Sequence, residues 1–217
     1  MTDREELRKA AHGWDEVASE YAANLYHELD HKPFDRALLA EFAVMVDRRD
    51  LPVFDLGCGP GHISNHLGGL GLRPHGLDLS PSMIEIARRL HPELVFEVGD
   101  MMESRWPPDT LGGVIALYSL INLTRPDVPV VLGRLAEGLV GGGPLLVAVH
   151  HGEGESHEVE LFGRPVPMTV TLFTADEMGG YLAGAGFLIV ETEARGPYPG
   201  EYQSARVYVL ATRAASR

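Results

Sequence analysis

Three glycines in alternation, Gly57, Gly59 and Gly61, follow a short apolar run at 51–56, and the acid Asp55 stands two residues before the first of them. Glycines at this spacing let the backbone turn sharply and approach a ligand closely, with the following helix N-terminus aimed at an anionic group. The pattern departs from the dinucleotide fingerprint G-x-G-x-x-G in two ways. The third glycine comes one residue early, and Asp55 would repel a pyrophosphate while attracting an ammonium group. Two more acids follow the next two apolar runs. Asp78 lies 78 − 61 = 17 residues past the last glycine, where a carboxylate can accept both hydroxyls of a ribose. Asp100, in Val98-Gly99-Asp100-Met101, can accept a hydrogen bond from an exocyclic amine.

The elements that must position these acids alternate along the chain. Apolar runs at 51–56, 76–79, 94–98, 114–120 and 144–149 are separated by segments with helical period. Met83, Ile84, Ala87 and Leu90 form one helix face behind an N-cap at Ser80 and a proline at Pro81. Val128, Leu132, Leu135 and Leu139 form another, which the glycines at 141–143 are expected to end. Thr174 and Glu177 fit a capping box, with Gly186 closing its helix. Strands apolar on both faces, alternating with helices, imply a doubly wound α/β fold with a mainly parallel sheet. The last two strands, 187–192 and 205–211, are joined by a Gly- and Pro-rich loop without a helix, which suits an antiparallel pair. Helical segments at 14–29 and 33–46 precede the first strand and must pack on the sheet or over its mouth. The organisation expected is a single domain, 1–217, with a helical lid at 1–49, a core at 50–212 and an insertion at 151–173.

An amine, a ribose and an adenine are the pieces of S-adenosylmethionine, and the sequence resembles the class I S-adenosylmethionine-dependent methyltransferases over about residues 50–212. Asp55-Leu56-Gly57-Cys58-Gly59-Pro60-Gly61 matches that family's first motif, Gly76-Leu77-Asp78-Leu79-Ser80 with Met83 its second, and Gly99-Asp100-Met101 its third. The resemblance implies a Rossmann-like seven-stranded sheet of order 3-2-1-4-5-7-6 with strand 7 antiparallel. It also implies that Gly57, Gly59 and Gly61, with Cys58 as a small buried filler, line the methionine part. Asp78 would hold the ribose, Leu79 and Met83 would pack near the adenine, and Asp100 with Met101 would read its edge. Tyr118 would face the methyl group. The segment Trp14 to Ala22 is similar to the N-terminal lid of small bacterial members that methylate small molecules, so Trp14 and Tyr21 are expected to cover the cofactor. Spaced i, i+7 on one helix, these two aromatics share a face, and simple packing of that helix on the sheet remains the other reading.

His150 and His151, at the mouth of the fifth strand, are candidates for a general base because neutral imidazole titrates near working pH. The run from His150 to Glu158 lacks the fixed spacing of a metal site, and His62 and His66 read as solvated or capping residues, so no metal is expected. The magnesium-dependent catechol type needs acids after strands 4 and 5, where this chain has Tyr118 and His150; no D/N-P-P-Y/F motif follows strand 4, which removes resemblance to enzymes acting on nucleic-acid bases. The insertion reads as two strands, 158–162 and 168–173, about Gly163-Arg164-Pro165. It would bring Phe162, Arg164, Met168 and Phe173 to the site mouth as a pocket wall, or serve as an edge or homodimer contact.

Composition bounds the partners. The 217 residues carry 18 Lys and Arg against 31 Asp and Glu, a net charge of −13, which argues against a surface built to neutralise phosphates. With one cysteine, an N-terminus without an apolar core, and no membrane-length apolar run, the expected location is cytoplasmic. The reaction expected is in-line methyl transfer to an oxygen, nitrogen or carbon of a small molecule. The competing readings are an NAD(P)-binding oxidoreductase and a non-catalytic S-adenosylmethionine-binding regulator.

Overall fold

The computed structural model describes residues 4–215, with the side chains of 4–10, 158–160, 165, 167 and 168 outside the description. Among the described residues, strands and helices run in the order α1 (Arg4–Leu25), α2 (Pro33–Met45), β1 (Val53–Leu56), α3 (His62–Gly69), β2 (Pro74–Asp78), α4 (Pro81–Leu90), β3 (Val95–Val98), β4 (Gly113–Leu117), α5 (Val128–Gly138), β5 (Pro144–His150), β6 (Glu155–Leu161), β7 (Arg164–Thr171), α6 (Ala175–Gly184), β8 (Phe187–Arg195) and β9 (Arg206–Arg213). A 3-10 turn, Glu28–His31, links α1 to α2. Among the described residues no helix is long and apolar enough to cross a membrane.

Seven strands form one sheet of order β3-β2-β1-β4-β5-β9-β8, which is the expected order once the separate β6–β7 hairpin is set aside. All neighbours are parallel except β9, antiparallel to both β5 and β8. β1 is buried throughout and β5 almost so, as a strand covered on both faces must be. One apolar layer joins the sheet to α5 and α6 through Leu132, Leu135, Met178 and Leu182. The other joins it to α2 and α3 through Leu38, Leu39, Phe42, Ile63 and Leu67. The strand order reverses between β1 and β4, so a crevice opens at their carboxyl ends.

The caps explain where the helices sit. Ser80 Oγ accepts from Met83 N at 3.1 Å, with Pro81 in the first turn, as the sequence predicts. Thr174 Oγ1 accepts from Glu177 N at 3.2 Å, but Glu177 turns its carboxylate to Arg125 (2.7 Å) and Tyr181 (3.0 Å), so only this half of the box is formed. α5 ends at Gly138, earlier than expected, and the glycines at 141–143 instead turn the chain into β5, with Gly142 at φ 78°. α1 begins earlier than the expected 14–29 and gives way to the 3-10 turn before residue 29.

The insertion is a hairpin, but it turns at Phe162-Gly163 rather than 163–165. Both residues are left-handed, φ 52° and 76°, the two-residue geometry whose twist matches antiparallel strands. Nothing about a phenylalanine announces a positive φ, so residue type points to a turn at the following Gly-Arg-Pro instead. Of the residues expected there, Met168 and Pro165 have side chains outside the description, and Phe173 is fully buried in the core.

Close packing sets one sharp requirement in β2. A Cβ on Gly76 would lie 2.5 Å from Phe96 Cδ1 and 2.7 Å from Cys58 Sγ. Gly76→Ala is expected to cost about 1–3 kcal/mol by overpacking. Urea unfolding should show a lower midpoint at unchanged slope; an unshifted midpoint would mean that this contact is slack.

Candidate active site

The glycine turn leaves β1 in left-handed backbone. At Gly57 (φ 69°) a Cβ would meet Ser119 Cβ at 2.4 Å, and at Gly61 (φ 82°) it would meet Phe96 Cζ at 2.7 Å. The turn is thus wedged between the residue past β4 and the side chain on β3, and only glycine fits there. Asp55 sits beneath it, 2 % exposed, accepting from Ser64 Oγ at 2.7 Å. Burial pushes its carboxyl up to about 6, against the Ser64 hydrogen bond that lowers it.

Asp78 ties the turn to the next element. Its Oδ2 accepts from Gly59 N (2.8 Å) and its Oδ1 from Ser80 N (2.9 Å), and burial raises its carboxyl. Each oxygen has capacity for a further donor. Asp100 uses Oδ1 to accept from Met102 N at 2.7 Å. The side chain of Asp15, on α1, accepts from Ser80 Oγ (2.6 Å) and Ser82 N (3.0 Å), so α1 is fastened to the start of α4. The sequence carries no local signal for Asp15, because its partners lie 65 and 67 residues away.

Above these groups is a cavity of about 640 Å³, within the range of small-molecule sites. Trp14, Tyr21, Gly57, Gly59, Asp78, Leu79, Met83, Asp100, Met101, Tyr118 and His150 all line it. Asp55, Cys58, Gly61 and His151 are not among its lining residues; the first three are buried and His151 is exposed. Burial raises the Cys58 thiol well above its ordinary range, which suits the filler reading.

Two elements close the cavity. On α1, Trp14 and Tyr21 meet edge to face at 5.8 Å, and Tyr21 meets Phe162 of the hairpin turn at 6.1 Å. Val17 and Val166 pack with Trp14 and Leu161, and Glu20 pairs with Arg164 at 2.6 Å. The aromatic pair therefore both packs and covers. The hairpin is a wall of the cavity, through Leu161, Phe162 and Val170.

The far end is polar and was not legible beforehand. Lys32 pairs with Glu28 (2.6 Å) and Glu201 (2.8 Å), and Glu28 meets His62 Nε2 at 3.0 Å. Arg195 joins Glu201 (2.7 Å) to Asp35 (2.8 Å), and Tyr208 donates to Asp35 Oδ1 at 2.8 Å. Burial would raise Glu201, but hydrogen bonds from Arg195, Lys32 and Tyr198 N hold it down at about 2. Tyr118, at φ 55°, places its hydroxyl 2.7 Å from that of Tyr208 and its ring 5.2 Å from His150. His150 Nδ1 lies 2.7 Å from Ser204 Oγ.

Residues 53–143 match the sequence model of a family described as a methyltransferase domain. Over that segment, which is under half of the chain, the sequence is similar to a methyltransferase domain. It is 28% identical over 103 residues to an N-demethylindolmycin N-methyltransferase of Streptomyces griseus, covering 46% of this chain and 44% of that one. It is 39% identical over 93 residues to a magnesium-protoporphyrin O-methyltransferase of Rhodobacter capsulatus, covering 39% of each. The chain thus spans less than half the length of these two curated relatives. Among solved structures, magnesium protoporphyrin IX methyltransferase from Synechocystis PCC 6803 with bound SAM is similar at TM-score 0.65 and 19% identity, over 86% of this chain and 81% of that one. A DhpI–SAH complex matches at TM-score 0.71 and 21% identity over the full length of both chains. These likenesses establish the fold.

The Asp55 environment has a consequence for stability. A carboxyl raised from 3.8 to about 6 binds its proton more tightly in the folded state, so stability from this group is greatest at low pH and falls as pH rises through that window. The loss is on the order of 3 kcal/mol. Measured by urea unfolding at pH 4 and pH 7, Asp55→Asn should gain on the wild type by about that amount between the two. A difference independent of pH would show that Asp55 is not strained by burial.

Proposed function

We propose that this protein binds S-adenosylmethionine and transfers its methyl group to a small-molecule acceptor. The observation that carries the reading is the convergence of Gly57, Gly59, Asp78 and Asp100 from the ends of β1, β2 and β3 on one lidded cavity. The donor set fits the group: carboxylate lone pairs remain at Asp78 for two ribose hydroxyls, and Asp100 Oδ2 remains for an exocyclic amine. Leu79 and Met83, on the cavity wall, would pack near the adenine, and Met101 would lie at its edge. Gly57, Cys58, Gly59 and Gly61 shape the methionine end, with the field of Asp55 beneath them favouring an ammonium group. Trp14 and Tyr21 exclude water from above.

When bound, S-adenosylmethionine supplies an electrophilic methyl on a sulfonium. The chain's own task is to hold an acceptor in line and to receive its proton. With that group bound, Tyr118 would face the methyl, and His150, on the cavity wall, would receive the proton that the acceptor gives up on methylation. The Nδ1 of His150 lies 2.7 Å from Ser204 Oγ, a contact that orients the imidazole on the cavity wall. His151, exposed and off the cavity wall, is the weaker candidate. Tyr118 and His150 occupy the positions where the magnesium-dependent type needs acids, which supports metal-independent transfer.

The net charge of −13 supports a small molecule over nucleic acid as acceptor, and the lone buried cysteine suits a reducing, cytoplasmic setting. The printed activities of the relatives, both on small molecules, support the same class. A thermal-shift and calorimetric comparison tests the reading. S-adenosylhomocysteine should raise the melting temperature and bind, whereas NAD should do neither. Binding of NAD, or no binding of S-adenosylhomocysteine, would contradict it.

A further inference from the structure

The hydrogen bonds behind Tyr118 have forced directions. Asp35, buried and ion-paired with Arg195 (Nη2 to Oδ2, 2.8 Å), is a carboxylate and can only accept. Tyr208, 2 % exposed, donates its one proton to Asp35 Oδ1 at 2.8 Å. Its 2.7 Å bond with Tyr118 is therefore donated by Tyr118. Burial raises both phenols, so neither gives up its proton to become an anion. With its proton spent, Tyr118 keeps only oxygen lone pairs to offer a ligand.

The position of Tyr118 makes this matter. It lines the cavity, and the next residue, Ser119, is the one packed against Gly57 of the glycine turn. Tyr118 also holds a left-handed φ of 55°, costly for an aromatic residue and kept where the surroundings over-determine it. Here the Tyr208–Asp35 pair is what fixes its hydroxyl.

We propose that Tyr118 accepts a hydrogen bond from the nucleophile of the bound methyl acceptor before that proton turns to His150, so that the acceptor presents a hydroxyl or a neutral amine N–H and not a carboxylate. Tyr208 and Asp35 are positioning residues that enforce this polarity. The inference rests on the methyltransferase reading above and narrows its acceptor class. Substituting Tyr208→Phe changes no charge but removes the acceptor of the Tyr118 proton, which becomes free to point into the cavity and donate to an anion.

The test uses the full chain saturated with S-adenosylhomocysteine and two probes, phenol and benzoate, with dissociation constants read by ligand-observed NMR titration. The wild type should prefer phenol. Tyr208→Phe should move the phenol-to-benzoate preference toward benzoate by about tenfold, the worth of one hydrogen bond. Tyr118→Phe should weaken phenol by about tenfold and leave benzoate within about twofold, which keeps the proposal falsifiable if Tyr208→Phe does not fold. Benzoate preferred by the wild type, a preference unmoved in both variants, or no binding of either probe would overturn the inference. S-adenosylhomocysteine affinity measured in the same samples separates the two claims: its loss in the wild type sinks the methyltransferase reading, while its retention with a wrong probe preference sinks only this one.

Discussion

The carboxylate of Asp78 is the interaction on which the rest of the site depends. It bridges Gly59 N of the turn after β1 and Ser80 N at the start of α4, so one side chain fixes the distance between two neighbouring strand ends. Ser80 extends the tie in two directions. Its hydroxyl caps α4 through Met83 N and donates to Asp15 of α1. Glycine turn, α4 and lid are therefore joined through Asp78 and Ser80, and the lid is set by the same groups that would hold a nucleoside. Charge-assisted hydrogen bonds of this kind, partly buried, are stronger than neutral ones. Burial makes the carboxylate expensive, and its backbone donors offset that cost.

The cavity has two chemically different ends. Near the turn its polar groups are acids with lone pairs to spare, suited to the hydroxyls and amines of a nucleoside. Past Tyr118 the charges are already paired with one another: Lys32, Arg195 and Arg206 against Glu28, Glu201 and Asp35. A cluster balanced in this way adds little net field, so it orients side chains more than it attracts ions. The fixed direction of the Tyr118–Tyr208–Asp35 chain is one product of that orientation. The lid between them is held by a partly exposed ion pair, Glu20 with Arg164, of the sort that contributes little by itself, and by the apolar contacts of Trp14, Val17, Leu161 and Val166.

The alternation of strands and helices and the motif acids were legible because each is written locally, whereas the strand order came only with the family resemblance. A strand buried on both faces has no polar alternation, and a carboxylate two residues before a glycine turn or at the end of β2 can be found by counting. The far end was illegible because its partners are distant in sequence: Asp35 and Tyr208 are separated by 173 residues, and Tyr118 and Tyr208 by 90. Each of these residues is ordinary in its own segment. Phe162 and Tyr118 show a second limit, since residue type gives no hint of their positive φ. The early end of α5 and the half-formed box at Thr174 show a third: tertiary partners such as Arg125 outcompete the local pattern.

Calorimetric titration of Asp78→Ala with S-adenosylhomocysteine tests the central claim most directly. The account predicts at least about a tenfold loss of affinity, because two charge-assisted hydrogen bonds to the ribose and the brace on the glycine turn disappear together. Circular dichroism should show the fold retained. Affinity equal to that of the wild type, in a variant that remains folded, would contradict the account.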